Sequence, residues 1–335
     1  MKVVLFHANC QDGLFAAATL YEHFEKDALY IPVNYKPIQD LSPQEALEYL
    51  FHADHAQELF DHHNSFHKLT DVQPSMYKDI ELYIVDYSLP ISHFLHCASL
   101  FKSVLCLDHH ASAAKQYMAR FQPQEDFNGW IVMRPTENSK LVFSEKDSGA
   151  KLAHRYFNKD QEVPHCIELV SDRDLWQFKQ PNTNLFHYGF RLLNEANLHK
   201  VITYARTNFD FILTLGKLQE KEIQRRVKSI SKHGAVPLYL ELDGRPLQAG
   251  LVNSAMDITS DIGHATLQSG CDVAIIYSIY SLSNVSFSLR SAPGVDVSGL
   301  AVKHGGGGHP NACNFHADFK FLVNLLTTGV WLVNT

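Results

Sequence analysis

The run Ser103-Val104-Leu105-Cys106-Leu107 passes without a charge into Asp108-His109-His110-Ala111-Ser112. A short apolar run bounded by polar residues reads as a buried strand. The polar triplet then stands at the strand's carboxyl end, the edge where open parallel sheets place their ligands. Two other runs repeat the device: Lys2 to Phe6 delivers His7, and Glu81 to Val85 delivers Asp86. Carboxylate oxygens and neutral imidazole are the usual donors to Mn2+, Mg2+ or Zn2+. A parallel sheet with acids and histidines along one edge is therefore the first expectation.

The chain between these runs fits that sheet. After His7, the turn Ala8-Asn9-Cys10-Gln11-Asp12-Gly13 leads into Leu14-Phe15-Ala16-Ala17-Ala18, helical in propensity. Leu29 to Val33 reads as another strand, Ala113 to Phe121 as a helix, and Ser148-Gly149-Ala150 as a helix start. A second Asp-His-His run, Asp61-His62-His63, follows a helix-like stretch rather than a strand and reads as a solvated helix end. Apolar residues recur at helical spacing from about Asn194 to Lys232. Beyond them, Pro237–Leu242, Leu247–Val252, Asp272–Ile279 and Asn284–Leu289 read as strands, with helices over Asp257–Leu267 and Val297–Val302. The expected fold is α/β: an N-terminal, mostly parallel sheet flanked by helices, a linker helix, and a smaller C-terminal α/β domain with a mixed sheet. The expected bounds are 1–193, 194–235 and 236–335.

Near the C-terminus stands Lys303-His304-Gly305-Gly306-Gly307-Gly308-His309-Pro310. Four glycines in a row predict no regular element, and let backbone N–H groups come close to an anion. Arg290, at a strand end with Ser288 and Ser291, is the natural phosphate partner, because guanidinium matches phosphate geometry.

Composition narrows the partners. A net charge of -7 argues against holding long nucleic acid by bulk electrostatics, while a local basic pocket still suits a small phosphorylated substrate. The six cysteines show no Cys-x-x-Cys spacing, which favours a reducing compartment over a disulfide framework. The first apolar run is too short for a signal peptide and no stretch is long enough to span a membrane, so a cytoplasmic protein is expected.

Asp108-His109-His110, Asp86 after Tyr83-Ile84-Val85, Asp172 in Ser171-Asp172-Arg173-Asp174, and Gly305-Gly306-Gly307-Gly308-His309 together resemble the DHH phosphoesterase superfamily. The likeness is to the branch carrying the DHH-associated C-terminal domain, and it runs from His7 to Phe315. It implies that His7, Asp12, Asp86, His109 and Asp172 hold one or two divalent ions, Mn2+ or Mg2+, with Asp86 bridging. It further implies that Asp108 orients a histidine, that His110 contacts the phosphoryl group or the leaving group, and that Gly306, Gly307, Gly308, His309 and Arg290 bind substrate. Asp174 is the alternative to Asp172. The chain departs from the family at its first motif, where two aspartates are usual: only Asp12 is acidic, so the first metal position is expected to be weaker, or ligated differently, by Asn9 or Cys10.

The activity implied is hydrolysis of short oligonucleotides or linear dinucleotides by metal-activated water. Inorganic polyphosphate is the second substrate class, and a catalytically weakened nucleotide-binding regulator is the rival of another kind. No membrane or long-DNA partner is expected, and a homodimer is allowed. A nucleotide substrate calls for aromatic stacking, for which Tyr87, Tyr280 and Phe287 are the candidates.

Overall fold

Strands that are apolar on both faces need cover on both faces. The computed structural model describes residues 1–8, 10–34, 38–52, 74–123, 125–127, 129–193, 197–232, 234–254 and 258–332. Asn9 and the Asp61-His62-His63 run lie outside the described residues. The chain divides into two compact units, Met1–Gln219 and Glu220–Thr335.

In the first unit the described elements are β1 (Lys2–His7), α1 (Gln11–Phe24), β2 (Ala28–Val33), α2 (Pro43–His52), β3 (Glu81–Val85), α3 (Ile91–Leu100), β4 (Ser103–Asp108), α4 (Ala111–Met118), β5 (Glu125–Phe127), β6 (Trp130–Met133), β7 (Ser139–Phe143), α5 (Gly149–Phe157), α6 (His165–Asp174), α7 (Thr183–Leu193) and α8 (Val201–Thr207), and α9 (Phe209–Lys232) crosses the boundary between units. The sheet order is β2-β1-β3-β4-β7-β6-β5. The strands from β2 to β7 pair in parallel, and β6 and β5 add an antiparallel edge. Alternation along β1 feeds two cores: Val3 and Leu5 enter a cluster with Leu47, Phe94 and Tyr117, while Val4 and Phe6 join Phe15, Leu152, Phe186 and Ile212. Val201, Ile202 and Ala205 of α8 belong to that second cluster, so the helices after residue 197 help to cover this sheet. Gly189 on α7 and Gly216 on α9 permit a close crossing, since a Cβ on either would meet a carbonyl oxygen of the other helix within 2 Å.

The second unit contains β8 (Val236–Leu242), β9 (Arg245–Asn253), α10 (Thr259–Gln268), β10 (Val273–Ser281), β11 (Asn284–Ser291), α11 (Ser298–Lys303), β12 (Gly307–His309), β13 (Ala312–Ala317), α12 (Phe319–Thr328) and β14 (Val330–Leu332). Its sheet, ordered β12-β13-β11-β10-β9-β8-β14, is mixed: β9–β10 and β8–β14 are parallel and the other pairs antiparallel. Phe287 and Phe315 stack in its core with centroids 5.1 Å apart. The observed fold class is the one the sequence predicts. The run of glycines is a correction: Gly307–His309 form a strand rather than an irregular loop.

Candidate metal centre

Parallel register builds the centre. Phe6 lies opposite Val85, and Val85 opposite Leu107, so the next residues, His7, Asp86 and Asp108, emerge side by side from three adjacent strands. All three stand at the carboxyl edge of the sheet. Asp86 is bent further, to φ 51, a left-handed conformation that costs a non-glycine residue about 1 kcal/mol or more. Its amide N–H is retained by Leu107 O at 3.0 Å, so the bend is held by the sheet. The result is a carboxylate with one oxygen to each side: Oδ1 lies 3.1 Å from His109 Nε2 and Oδ2 lies 3.5 Å from His7 Nδ1.

Two glycines make room for this. A Cβ on Gly13, in the first turn of α1, would fall 2.2 Å from His7 O, and one on Gly149, at the start of α5, would fall 2.4 Å from Asp86 Cβ. Both helix N-termini can therefore press against the strand ends. Asp12, buried in the first turn of α1, exploits the second of them. Its carboxylate accepts hydrogen bonds from Ser148 Oγ at 2.5 Å, Gly149 N at 2.6 Å and Ala150 N at 3.1 Å. Oδ2 of the same carboxylate lies 3.6 Å from His109 Nε2. The N-terminus of α5 thus holds Asp12 in place by its free amides and its dipole.

Asp174 completes the group, with Oδ2 at 3.3 Å from His109 Nε2. Three carboxylates consequently face one imidazole nitrogen, which can carry at most one proton. Burial, then Asp86 and Asp174, push Asp12 well above the usual carboxylate range. Burial and Asp86 likewise push Asp174 up, against the pull of His109. Burial also disfavours ionised Asp86, but His109 and His7 outweigh it and hold that carboxyl low. His109 is driven well up by Asp174, Asp86 and Asp12 in spite of its burial. More carboxylates than one imidazole can neutralise, gathered out of water, make a cluster that can exchange its protons for a cation. Asp86 Oδ2 and Asp174 Oδ2, both buried, accept no hydrogen bond of normal geometry, and each faces an imidazole nitrogen, at 3.5 and 3.3 Å respectively. The groups His7–Cys10–Asp86, Asp12–His109–Asp174 and Asp86–Asp108–His109–His110 each bring their ligand atoms within 4.8 Å of one another and can hold a metal ion.

Asp108 plays a different part. It is wholly buried and accepts from Ser88 Oγ at 2.5 Å, from His109 N at 2.7 Å and from His110 Nδ1 at 2.7 Å. Of the two histidines, it is the His110 ring that this carboxylate orients. Burial opposes protonation of His110, but Asp108 prevails and raises it above the ordinary value.

Of the residues singled out in the sequence, His7, Asp12, Asp86, Asp108, His109 and His110 meet here, and Asp172 does not. Asp172 and Asp174 are two steps apart on α6, so they point to nearly opposite sides of the helix. Asp172 accepts from Lys179 N at 2.8 Å, Gln180 N at 3.1 Å and Thr183 Oγ1 at 2.5 Å, tying down the turn before α7. The apolar segment before Asp172 is a helix, and its phase turns Asp174, not Asp172, toward His109. Sequence reasoning also passed over Ser88, Ser148 and Gly149. Only Ser148-Gly149 carried a signal, a helix start whose first residue has no side chain.

In the second unit, register places Arg290 opposite Ala312 and Ala312 opposite His309. Directly paired residues share a face, so Arg290 and His309 lie on one face of the sheet, about 10 Å apart across two strand spacings. The Arg290 guanidinium donates to Leu289 O at 2.8 Å and to Ser260 Oγ at 3.0 Å. Gly306 and Gly308 serve close packing: a Cβ there would fall 2.0 Å from Asn314 O and 2.6 Å from Ala312 O respectively. The amides of Gly305 and Gly306 are taken by Val302 O and Ala301 O, at 3.0 and 2.8 Å. Tyr87 and Phe287 are buried core residues, whereas Tyr280 is exposed.

No family model matches the chain. An uncharacterised protein, R106, of Acanthamoeba polyphaga mimivirus is 23% identical over 339 aligned residues, which cover 93% of this chain and 66% of that protein. The chain thus spans just under two thirds of that relative's length. Two solved structures are similar in outline at 15% identity each. An uncharacterised protein from Helicobacter pylori G27 gives a TM-score of 0.38, covering 96% of this chain and 93% of the other. The pGpG-specific phosphodiesterase PggH from Vibrio cholerae gives 0.44, covering 97% and 96%. Among the described residues no helix is long and apolar enough to cross a membrane.

Proposed function

We propose that the chain is a metal-dependent phosphoesterase of the DHH superfamily, acting on short oligonucleotides or linear dinucleotides. The convergence of Asp12, Asp86 and Asp174 on one nitrogen of His109, all within 3.6 Å, carries this reading. Residues 1–193 form the catalytic domain, 194–235 the linker, and 236–335 the DHH-associated domain that binds substrate. His7, Asp12, Asp86, His109 and Asp174 hold one or two divalent ions, Mn2+ by preference and Mg2+ in second place. A divalent ion there supplies Lewis acidity, lowering the pKa of water and drawing charge from a phosphoryl oxygen.

The chain's own groups supply the rest. Asp86 offers one oxygen to each side and so serves both positions. Asp108 accepts the Nδ1–H of His110 and leaves Nε2 to meet a phosphoryl oxygen or protonate the leaving group. Arg290 presents a charged fork of donors, and His309 a ring nitrogen, to a second phosphate. Turnover of a linear dinucleotide, a short RNA, a cyclic dinucleotide and polyphosphate should be measured with Mn2+, with Mg2+ and after chelation. We expect cleavage of the dinucleotide that chelation abolishes and Mn2+ restores best. Undiminished turnover after exhaustive chelation removes the reading.

Polyphosphate remains the second substrate because burial of Tyr87 and Phe287 withdraws two of the three aromatic stacking candidates. The turn after Asp174 offers a replacement. Arg173 lies 4.9 Å from the Trp176 ring centroid and 5.2 Å from that of Phe178, and Phe178 is 36% exposed. A base stacked on an aromatic ring is worth about 1–3 kcal/mol. Phe178→Ala should therefore raise KM for a dinucleotide roughly tenfold and leave polyphosphate hydrolysis unchanged. Equal effects on both substrates would assign Phe178 to the fold.

A further inference from the structure

Cys10, half-buried, does not behave as the buried cysteines do. Cys97, Cys106, Cys166 and Cys313 sit within the hydrophobic clusters, where a thiol acts as a small apolar group. Cys10 stands at the N-cap of α1, a place that favours Ser, Thr, Asp or Asn, and its side chain makes no capping hydrogen bond. Its neighbours are polar instead: Cys10, His7 and Asp86 bring sulfur, nitrogen and oxygen donors within 4.8 Å of one another. Asp86 is 1% exposed, and its Oδ2 accepts no hydrogen bond of normal geometry, the nearest donor being His7 Nδ1 at 3.5 Å, itself a member of the group. Beside it lies a second group of different chemistry, Asp12, His109 and Asp174, with two carboxylates and no sulfur.

We infer that the two halves of the centre take different metals: His7, Cys10 and Asp86 form a thiolate-containing position for a thiophilic divalent ion such as Zn2+, while Asp12, His109 and Asp174 form a hard position for Mn2+ or Mg2+. The inference rests on the metal-centre reading above and narrows it: the preference for Mn2+ belongs to the hard position, and a thiophilic ion takes the other. Soft thiolate selects zinc-like ions over manganese, whereas carboxylates suit the harder ion. His, Cys and carboxylate are each zinc donors, and three protein ligands would leave the fourth place to water or substrate, as in catalytic zinc sites. On binding, the Cys10 S–H bond breaks, its proton goes to solvent, and the sulfur electron pair forms the bond to the ion. The carboxylate missing from the first motif is thus replaced by a thiolate, and the replacement changes the metal.

The test uses the full chain freed of metal and reloaded. Co2+ should give a near-ultraviolet sulfur-to-cobalt charge-transfer band that saturates at one equivalent. X-ray absorption of the zinc-loaded protein should show one sulfur neighbour at about 2.3 Å. Cys10→Ser should lose the band, keep the ion at the hard position, and lower the preference for Zn2+ over Mn2+ by about tenfold or more. Cys10→Asp should move the preference further toward Mn2+, and thermal melting with Mn2+ checks that both variants fold. Ions bound by nitrogen and oxygen alone, or a band that survives Cys10→Ser, overturn this inference and leave the metal centre standing. Failure of Mn2+, Co2+ and Zn2+ all to bind overturns both.

Discussion

Two aspartates two residues apart on α6 show what a single residue can decide. Asp174 lies 3.3 Å from His109 Nε2, whereas Asp172 satisfies two backbone amides and a hydroxyl in the turn that follows. Asp174→Asn should reduce turnover by at least about a hundredfold and weaken Mn2+ binding, with little change in melting temperature. Asp172→Ala should do the reverse: it leaves buried donors unsatisfied, at a cost of about 2–3 kcal/mol, and spares metal affinity. Calorimetric Mn2+ titrations and thermal melts of the two variants separate the roles. Loss of Mn2+ binding in Asp172→Ala without loss of stability would reverse the assignment. His7, Asp86 and Asp108 were legible in the sequence because each follows a strand whose apolar run fixes both direction and end. Asp174 was not, since a helix turns its side chains by about 100° per residue and a short apolar segment does not reveal its phase.

The elements themselves were legible where burial was two-sided. β1, β3 and β4 read as uninterrupted apolar runs because helices cover both faces of the sheet, while the short strands β5, β12 and β14 of three residues each leave no such pattern. Less visible still was the clasp between α1 and α7. Gln11 Nε2 donates to His187 O at 3.0 Å, and Gln11 Oε1 lies 3.0 Å from His187 Nδ1, so one side chain meets both ends of its partner. Burial, then Arg173 and Arg191, push His187 down to about 3, so it stays neutral in the folded protein. Unfolded, the same ring takes a proton near pH 6.5. The unfolded state therefore binds more protons between those values, and stability falls as pH falls from about 6.5 toward 3. Down to pH 5 the loss from this one group is at most about 2 kcal/mol, and partial solvent access to the ring lowers it. His187→Gln, which cannot titrate, should flatten the fall of melting temperature between pH 6.5 and 5. An unchanged slope would mean that His187 is already protonated in the clasp.

At the scale of the whole molecule, the division of labour puts every proposed metal ligand before residue 175 and the proposed phosphate donors after residue 289. The second unit's sheet sets Arg290 and His309 in one row, and α10 braces the arginine through Ser260 and the space left by Gly263, where a Cβ would lie 2.7 Å from Arg290 Cγ. A guanidinium held by its neighbours loses little freedom on meeting a phosphate, so its contribution is positioning. Arg290→Ala should accordingly raise KM for a dinucleotide by about tenfold or more, and lower kcat as well if that contact aligns the scissile bond. Metal affinity should be unaltered. A generic phosphodiester too small to carry a second phosphate should be cleaved equally by the variant and the parent. Arg290 also holds Leu289 O and Ser260, so some stability will be lost, and the comparison between substrates corrects for it because both assays use the same folded fraction. Equal losses on the small and the natural-length substrate would make Arg290 a structural residue and leave the second unit without its proposed phosphate site.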